Sequence, residues 1–158
     1  MTRTAAREIA IQLCYASQLS GTPVGDVTDA LFAPEYFATL SEESELFRSA
    51  PDEKQLAYIR SLTALVDEHT QQLNEFISKY SRGWKVDRIS RVAAAILRCA
   101  MCEILYMDDI PNAVTVNEAV ELAKGYEEPE TVSFINGILG SFIRGEIDPA
   151  GAEETVSE

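Results

Sequence analysis

This chain has little histidine, little cysteine and little positive charge for its size, and each shortage excludes something. His69 is the only histidine. No acid–base partner for it is identifiable along the sequence, and a lone histidine near an apolar helical stripe is ordinarily a partly packed residue. The three cysteines, Cys14, Cys99 and Cys102, are an odd number without the spread of a disulfide framework, which argues for the cytoplasm over a secreted scaffold. Cys99 and Cys102 form a C-x-x-C. A zinc site needs about four ligands and His69 lies in another segment, so two thiols on one helical face read as packing residues. No run of about 18 apolar residues is present, so no transmembrane helix is expected. Charges interrupt the N-terminal stretch M-T-R-T-A-A-R-E, which therefore does not read as a signal peptide. Glycine-rich phosphate loops, H-E-x-x-H and G-x-S-x-G are missing. No enzyme activity, metal or cofactor is expected.

Lysine and arginine total 13 against 26 acids, for a formal net charge of −13. Such an excess repels phosphate and weakens nonspecific nucleic-acid binding, so where the charges sit matters more than their sum. Residues 21–55 hold eight acids against Arg48 and Lys54, and residues 111–158 hold ten acids against Lys124 and Arg144. Between them Lys79, Arg82, Lys85, Arg88, Arg91 and Arg98 face only Asp87 in the sequence, and the first segment is mildly basic, with Arg3 and Arg7 against Glu8. A polyanion should be confined to these basic stretches.

What is abundant is helical periodicity. Residues 3–19 place Ile9, Leu13 and Ala16 on one stripe, with Arg3 and Arg7 four apart on another face. Residues 24–50 are the least regular, with Val27, Leu31 and Phe32 marking a short second helix. The spacing predicts one long helix over 52–80, through Leu56, Ile59, Thr63, Val66, Thr70, Leu73, Ile77 and Tyr80, broken at Ser81-Arg82-Gly83. Asp87 suits the cap of the next helix, whose stripe is Ile89, Val92, Ile96 and Ala100, with Ala93, Ala94 and Ala95 permitting close approach by a neighbour. Pro111 ends it. Val116, Ala119, Val120 and Ala123 make another helix. Pro129 opens the last, which turns Val132, Ile135, Leu139 and Phe142 inward. Within it Gly137 is expected to permit close packing against another helix, or Asn136 to hydrogen-bond across that contact. Asp108 and Asp109 read as turn acids. No strand-like alternation competes, so the fold class is all-α, six or seven helices.

Three elements of this pattern occur in an order and spacing that resemble the NusB family of transcription antitermination factors. They are D-R-I-S-R-V-x-x-A-I-L-R (87–98), E-I-L-Y-x-D-D-I-P (103–111), and V-N-E-A-V-E-L-A-K…F-I-N-G-I-L (116–139). The N-terminal A-R-E-x-A-x-Q-L-x-Y…L-S-G (6–21) resembles that family's first helix. The resemblance covers nearly the whole chain apart from residues 22–55 and the tail after Arg144.

The resemblance implies a compact bundle in two packed helical subdomains, one built around the first three helices and the other around the rest. Residues 1–145 would be a single RNA-binding helical domain, and 146–158 an acidic disordered tail. It implies binding of a boxA-like RNA with a ribosomal small-subunit protein, in an RNA polymerase complex that resists termination during ribosomal RNA synthesis. By position, Arg3, Arg7, Lys124 and Phe134 match the RNA-binding residues. Tyr15, Arg88 and Arg98 fall where the protein partner docks. Some family members form homodimers, so a second copy of this chain is a further partner that the resemblance admits.

The departures are specific: Thr4 and Ala5 replace two arginines common in the family's first helix, Ser133 replaces a lysine before the aromatic, and Ala93 replaces an acid in the partner-facing helix. Fewer cations mean fewer phosphate contacts and a shallower salt dependence. The other reading is a helical protein-interaction module of the same fold with weak or no direct RNA binding.

Overall fold

The computed structural model describes residues 1–81 and 89–149. Among these residues the chain is all-α, with seven α-helices: α1 (Arg3–Ser20), α2 (Val24–Leu31), α3 (Pro34–Leu40), α4 (Glu53–Tyr80), α5 (Arg91–Tyr106), α6 (Asn112–Ala123) and α7 (Pro129–Phe142). A short 3-10 turn (Glu45–Phe47) precedes α4, and a π-helical turn (Ile143–Ile147) follows α7. None of the helices is long and apolar enough to cross a membrane, among the described residues.

The chain divides into two compact units, Met1–His69 and the remainder. The expected subdomains gave the long helix whole to the first; instead the boundary falls inside α4. His69 adopts φ −107° and ψ 16°, outside helical geometry, so the helix is kinked there. Histidine and the β-branched Thr70 after it are both mediocre helix formers. The predicted stripe is buried on both sides of the kink, at Ile59, Thr63, Val66, Leu73 and Ile77, while Leu56, Thr70 and Tyr80 are half-buried.

In the first unit, the Oγ1 of Thr2 accepts from the Ala5 amide at 3.0 Å and so starts α1. Gly21 stops it in the left-handed conformation, φ 75°, its amide donating to the Ser17 carbonyl at 2.9 Å. The buried face of α1 is broader than the predicted stripe: Ala6, Ile9, Ala10, Ile11, Leu13 and Cys14 all lie in the core. The irregular stretch contains α3, which the periodicity had not shown. Pro34 opens it at the first helical position, and Phe37 anchors it between Phe32 (ring centroids 5.6 Å apart) and Phe47 (6.0 Å, edge-on).

The second unit is organised around α5. Ala93, Ala95, Ile96 and Leu97 are buried, as are all six residues 99–104, so Cys99 and Cys102 are core side chains. Glu103 is fully buried and accepts from the Thr115 hydroxyl at 3.0 Å, tying α5 to α6. α5 starts later than expected: its cap is Ser90, whose Oγ accepts from the Ala93 amide at 3.0 Å, while Asp87 lies outside the described residues. In α7, Val132, Ile135, Leu139 and Phe142 point inward as the spacing predicts. Asn136 and Gly137 are exposed, and a Cβ at Gly137 would meet nothing within 4 Å. Neither a close helix approach nor a bond across one accounts for that pair.

The C-terminal turn has partners that the sequence did not reveal. Glu146 accepts from the Tyr80 hydroxyl and, at 2.8 Å, from Lys79 Nζ. Both bonds hold its carboxyl below the ordinary carboxylate range. Gly145 is needed there, because a Cβ would collide with the Tyr80 hydroxyl. Lys79, expected to face only Asp87, is therefore balanced by Glu146.

Candidate nucleic-acid interface

In the first unit, Arg3 and Arg7 lie one turn apart on α1 and both reach the ring of Tyr58 on α4. The Arg3 guanidinium carbon is 4.1 Å from the ring centroid and that of Arg7 is 5.7 Å away. Arg3 Nε also donates to Gln55 Oε1 at 2.7 Å. A guanidinium held over an aromatic ring and tethered through Nε is pre-oriented, and with five N–H donors it keeps capacity for a phosphate. The two arginines differ in access: Arg3 is half-buried, whereas Arg7 is only 3% exposed. Arg7 thus supports the cluster from below, and Arg3 is the member that a polyanion can reach in this conformation. The first turn of α1 contains no acid, so the partial positive charge of the helix N-terminus is not cancelled locally.

Beside this cluster lies an open groove of about 810 Å³, lined by residues including Thr4, Ala5, Glu8, Glu45 and Arg48. Burial raises the Glu8 carboxyl above its ordinary range. Arg48 is 3.5 Å from Glu45 and is offset by it. Thr4 and Ala5, the two positions where the resemblance leads one to expect arginines, thus line a groove that also carries two acids.

In the second unit, Lys124 caps the C-terminus of α6, exposed, with Nζ 2.7 Å from Glu121 Oε1. Phe134 on α7 is 8% exposed, mostly a core side chain. Helices α6 and α7 pack together, and the turn between them exposes Tyr126, an aromatic two residues after Lys124. Arg98 is half-buried on α5 and donates from Nε to Asn74 Oδ1 at 2.7 Å. Tyr15 is half-buried on α1 in the first unit. Arg88 lies outside the described residues.

Sequence reasoning missed Tyr58 and Gln55, which create the Arg3 geometry, and Tyr126. The first two are more than 50 positions from Arg3, and contacts at that separation leave no periodic trace. Tyr126 carried a local signal, an aromatic in the turn directly after Lys124.

The family model described as NusB family matches residues 4–144. The chain is 39% identical over 158 residues to the transcription antitermination protein NusB of Symbiobacterium thermophilum, covering 99% of each. It is 37% identical to that of Acetivibrio thermocellus over 158 residues, covering 100% of this chain and 99% of the relative. Among solved structures, T. maritima NusB superposes with a TM-score of 0.75 at 24% identity, covering 92% of both chains. A crystal structure of antitermination factors NusB and NusE in complex with dsRNA superposes with a TM-score of 0.70 at 21% identity, covering 90% of this chain and 96% of that one. These structural likenesses are likenesses of fold.

Proposed function

The chain belongs to the NusB family, and from that premise we propose that it is a cytoplasmic, non-enzymatic transcription antitermination factor. It binds boxA-like RNA together with a ribosomal small-subunit protein, and the pair joins RNA polymerase during ribosomal RNA transcription. The observation that carries the RNA-binding part is Arg3, laid on Tyr58 and fixed by Gln55 at the N-terminus of α1.

RNA recognition combines phosphate contacts with bases stacked on aromatic or guanidinium planes. Arg3 serves both needs, since its N–H edge suits a phosphate and its flat face a base. Because the side chain is already ordered, less conformational entropy is lost on binding. Lys124, with Phe134 and the exposed Tyr126 nearby in sequence or on the packed helix, is the second RNA patch. Tyr15, Arg88 and Arg98 are the residues assigned to the ribosomal protein. With Thr4, Ala5 and Ser133 in place of cations, and a net charge of −13, the chain makes few phosphate contacts of its own and relies on its partner for the rest.

The test is binding of a labelled boxA-like RNA across a salt series, with and without the organism's own partner protein. The expected result is weak binding alone, with a shallow salt slope, and tight binding with the partner. Arg3→Glu removes both. Absence of RNA binding in either arrangement, alongside direct association with the partner protein, would make the chain a protein-interaction module instead.

A further inference from the structure

A second surface of the first unit has chemistry opposite to that of the Arg3 cluster. Helices α1, α2 and α3 enclose a groove of about 370 Å³ lined by Gln12, Leu13, Ala16, Val27, Ala30, Leu31 and Tyr36. Leu13 is its buried floor, at 3% exposure, and Tyr36 stands at 53% exposure. Its walls are almost wholly apolar, and its volume lies at the low end of the range for ligand clefts, about 300–1,000 Å³. Leu19, at the end of α1, is also exposed. Exposed apolar residues beside an open apolar groove are a recurrent mark of an interaction surface.

Charge decides what the groove can take. The helices that build it bear Asp26 and Glu35 in their first turns and Asp29, all exposed. They belong to the segment 21–55, with eight acids against Arg48 and Lys54. Of those two bases Arg48 is offset by Glu45, and Asp29 in turn takes Arg60 at 2.7 Å. The formal charge of the segment that supplies α2 and α3 is therefore negative. It opposes RNA and an anionic membrane. A symmetric contact with a second copy would bring the same acids against one another.

We propose that this groove is the docking site for a cationic segment of a protein partner, one that seats two or three apolar side chains between α1, α2 and α3 and sets lysines or arginines against Asp26 and Glu35. Helix-in-groove recognition uses apolar anchors at i, i+3 or i+4, and i+7, and exposed acids on the helices that build the groove add steering and selection. The inference stands apart from the RNA reading, because none of the groove residues belongs to the Arg3 cluster.

The probe is a synthetic amphipathic helix with leucines on one face and lysines on the other, added to the full chain. A version with glutamates for the lysines is the control. Binding is followed by anisotropy and by amide shifts. The lysine peptide is expected to bind and to shift amides of α1, α2 and α3, and the glutamate peptide to fail. Tyr36→Ala, on an exposed rim position, is expected to weaken binding about tenfold, as for an interface anchor. Asp26→Lys with Glu35→Lys should reverse the preference between the two peptides, which a merely sticky surface would not do. All these variants should bind boxA-like RNA as the parent does, whereas Arg3→Glu should lose RNA and keep the peptide. Equal binding of both peptides, shifts centred elsewhere, or RNA perturbing the groove amides would each overturn the proposal.

Discussion

Helix α5 in the second unit has six consecutive buried residues, 99–104, whereas α1 in the first never has more than three, at 9–11. The residues that interrupt burial in α1 between Ala6 and Cys14 are Glu8 and Gln12, and each lines a groove. A helix buried on almost every side is committed to packing, and its substitutions register as stability. A helix half in the core can spend its remaining face on partners. The difference separates the two helices more than the two units: α5 chiefly holds its unit together and leaves only a few positions such as Arg98 to a partner, whereas α1 carries both the arginine cluster and a wall of the apolar groove.

The largest expected effect is the one that tests the packing side of this contrast. Leu97→Ala in α5 removes a fully buried side chain and should cost about 2–5 kcal/mol in urea denaturation, with a larger value if the cavity does not collapse. RNA binding by the folded fraction should be unchanged. A loss below that range would mean that α5 is not the organising element.

Next comes Gly145→Ala, in the turn that a Cβ would force away from Tyr80. Overpacking of this kind typically costs about 1–3 kcal/mol. Glu146 should lose its two partners as the turn shifts, so Lys79→Ala should add little in the Gly145→Ala background. Full additivity of the two would separate the turn from the pair.

On the binding side, Arg3→Ala should weaken RNA affinity about tenfold, near 1.4 kcal/mol, while changing stability by no more than about 1 kcal/mol, the scale of a cation–π contact on a partly exposed residue. Arg7→Ala should do the reverse, with the larger effect on stability, because Arg7 is buried. Similar profiles for the two arginines would erase the distinction drawn between a reaching and a supporting residue. Ala5→Arg sharpens the same point: it should steepen the salt slope by somewhat under one unit, about 0.7 per added phosphate contact on single-stranded RNA.

The helices and their inward faces were legible in the sequence because burial leaves a period. The α7 stripe follows directly from it, as do Ile96 and Ala100 of α5. What was illegible depends on contacts between distant residues or on short elements. α3 has seven residues, too few for a period, and Pro34 was its only local mark. The kink at His69 lies in an unbroken apolar stripe, so nothing in the pattern announces it. The Ser90 cap falls three residues beyond the acid that looked like one. At the site, the resemblance pointed to Arg3 and Arg7, but that they share Tyr58, and that one of them is buried, is a matter of tertiary packing. The assignment of Lys79 to a basic patch failed for the same reason, since Glu146 lies 67 positions away.

The smallest expected effect compares one carboxylate from each unit. Glu8 in the first is raised by burial, and Glu146 in the second is lowered by its bonds to Lys79 and Tyr80. A raised carboxyl pKa means that the folded state binds its proton more tightly than the unfolded chain, so Glu8 costs stability at neutral pH and the cost fades as pH falls through its folded value. A lowered one works the other way: Glu146 contributes stability above the ordinary carboxylate value, and this is lost as pH falls through its depressed value. Glu8→Gln should therefore stabilise the protein at neutral pH and lose that advantage toward acid. Glu146→Gln should destabilise it at neutral pH, with the deficit closing only at lower pH. Urea midpoints of the three proteins from neutral to acidic pH read both trends at once. Curves that run in parallel would mean that neither carboxylate differs between the folded and unfolded states. If only the Glu8 curve diverges from the parent, the Lys79–Glu146 pair is too exposed to contribute, as solvent screening makes common for surface pairs.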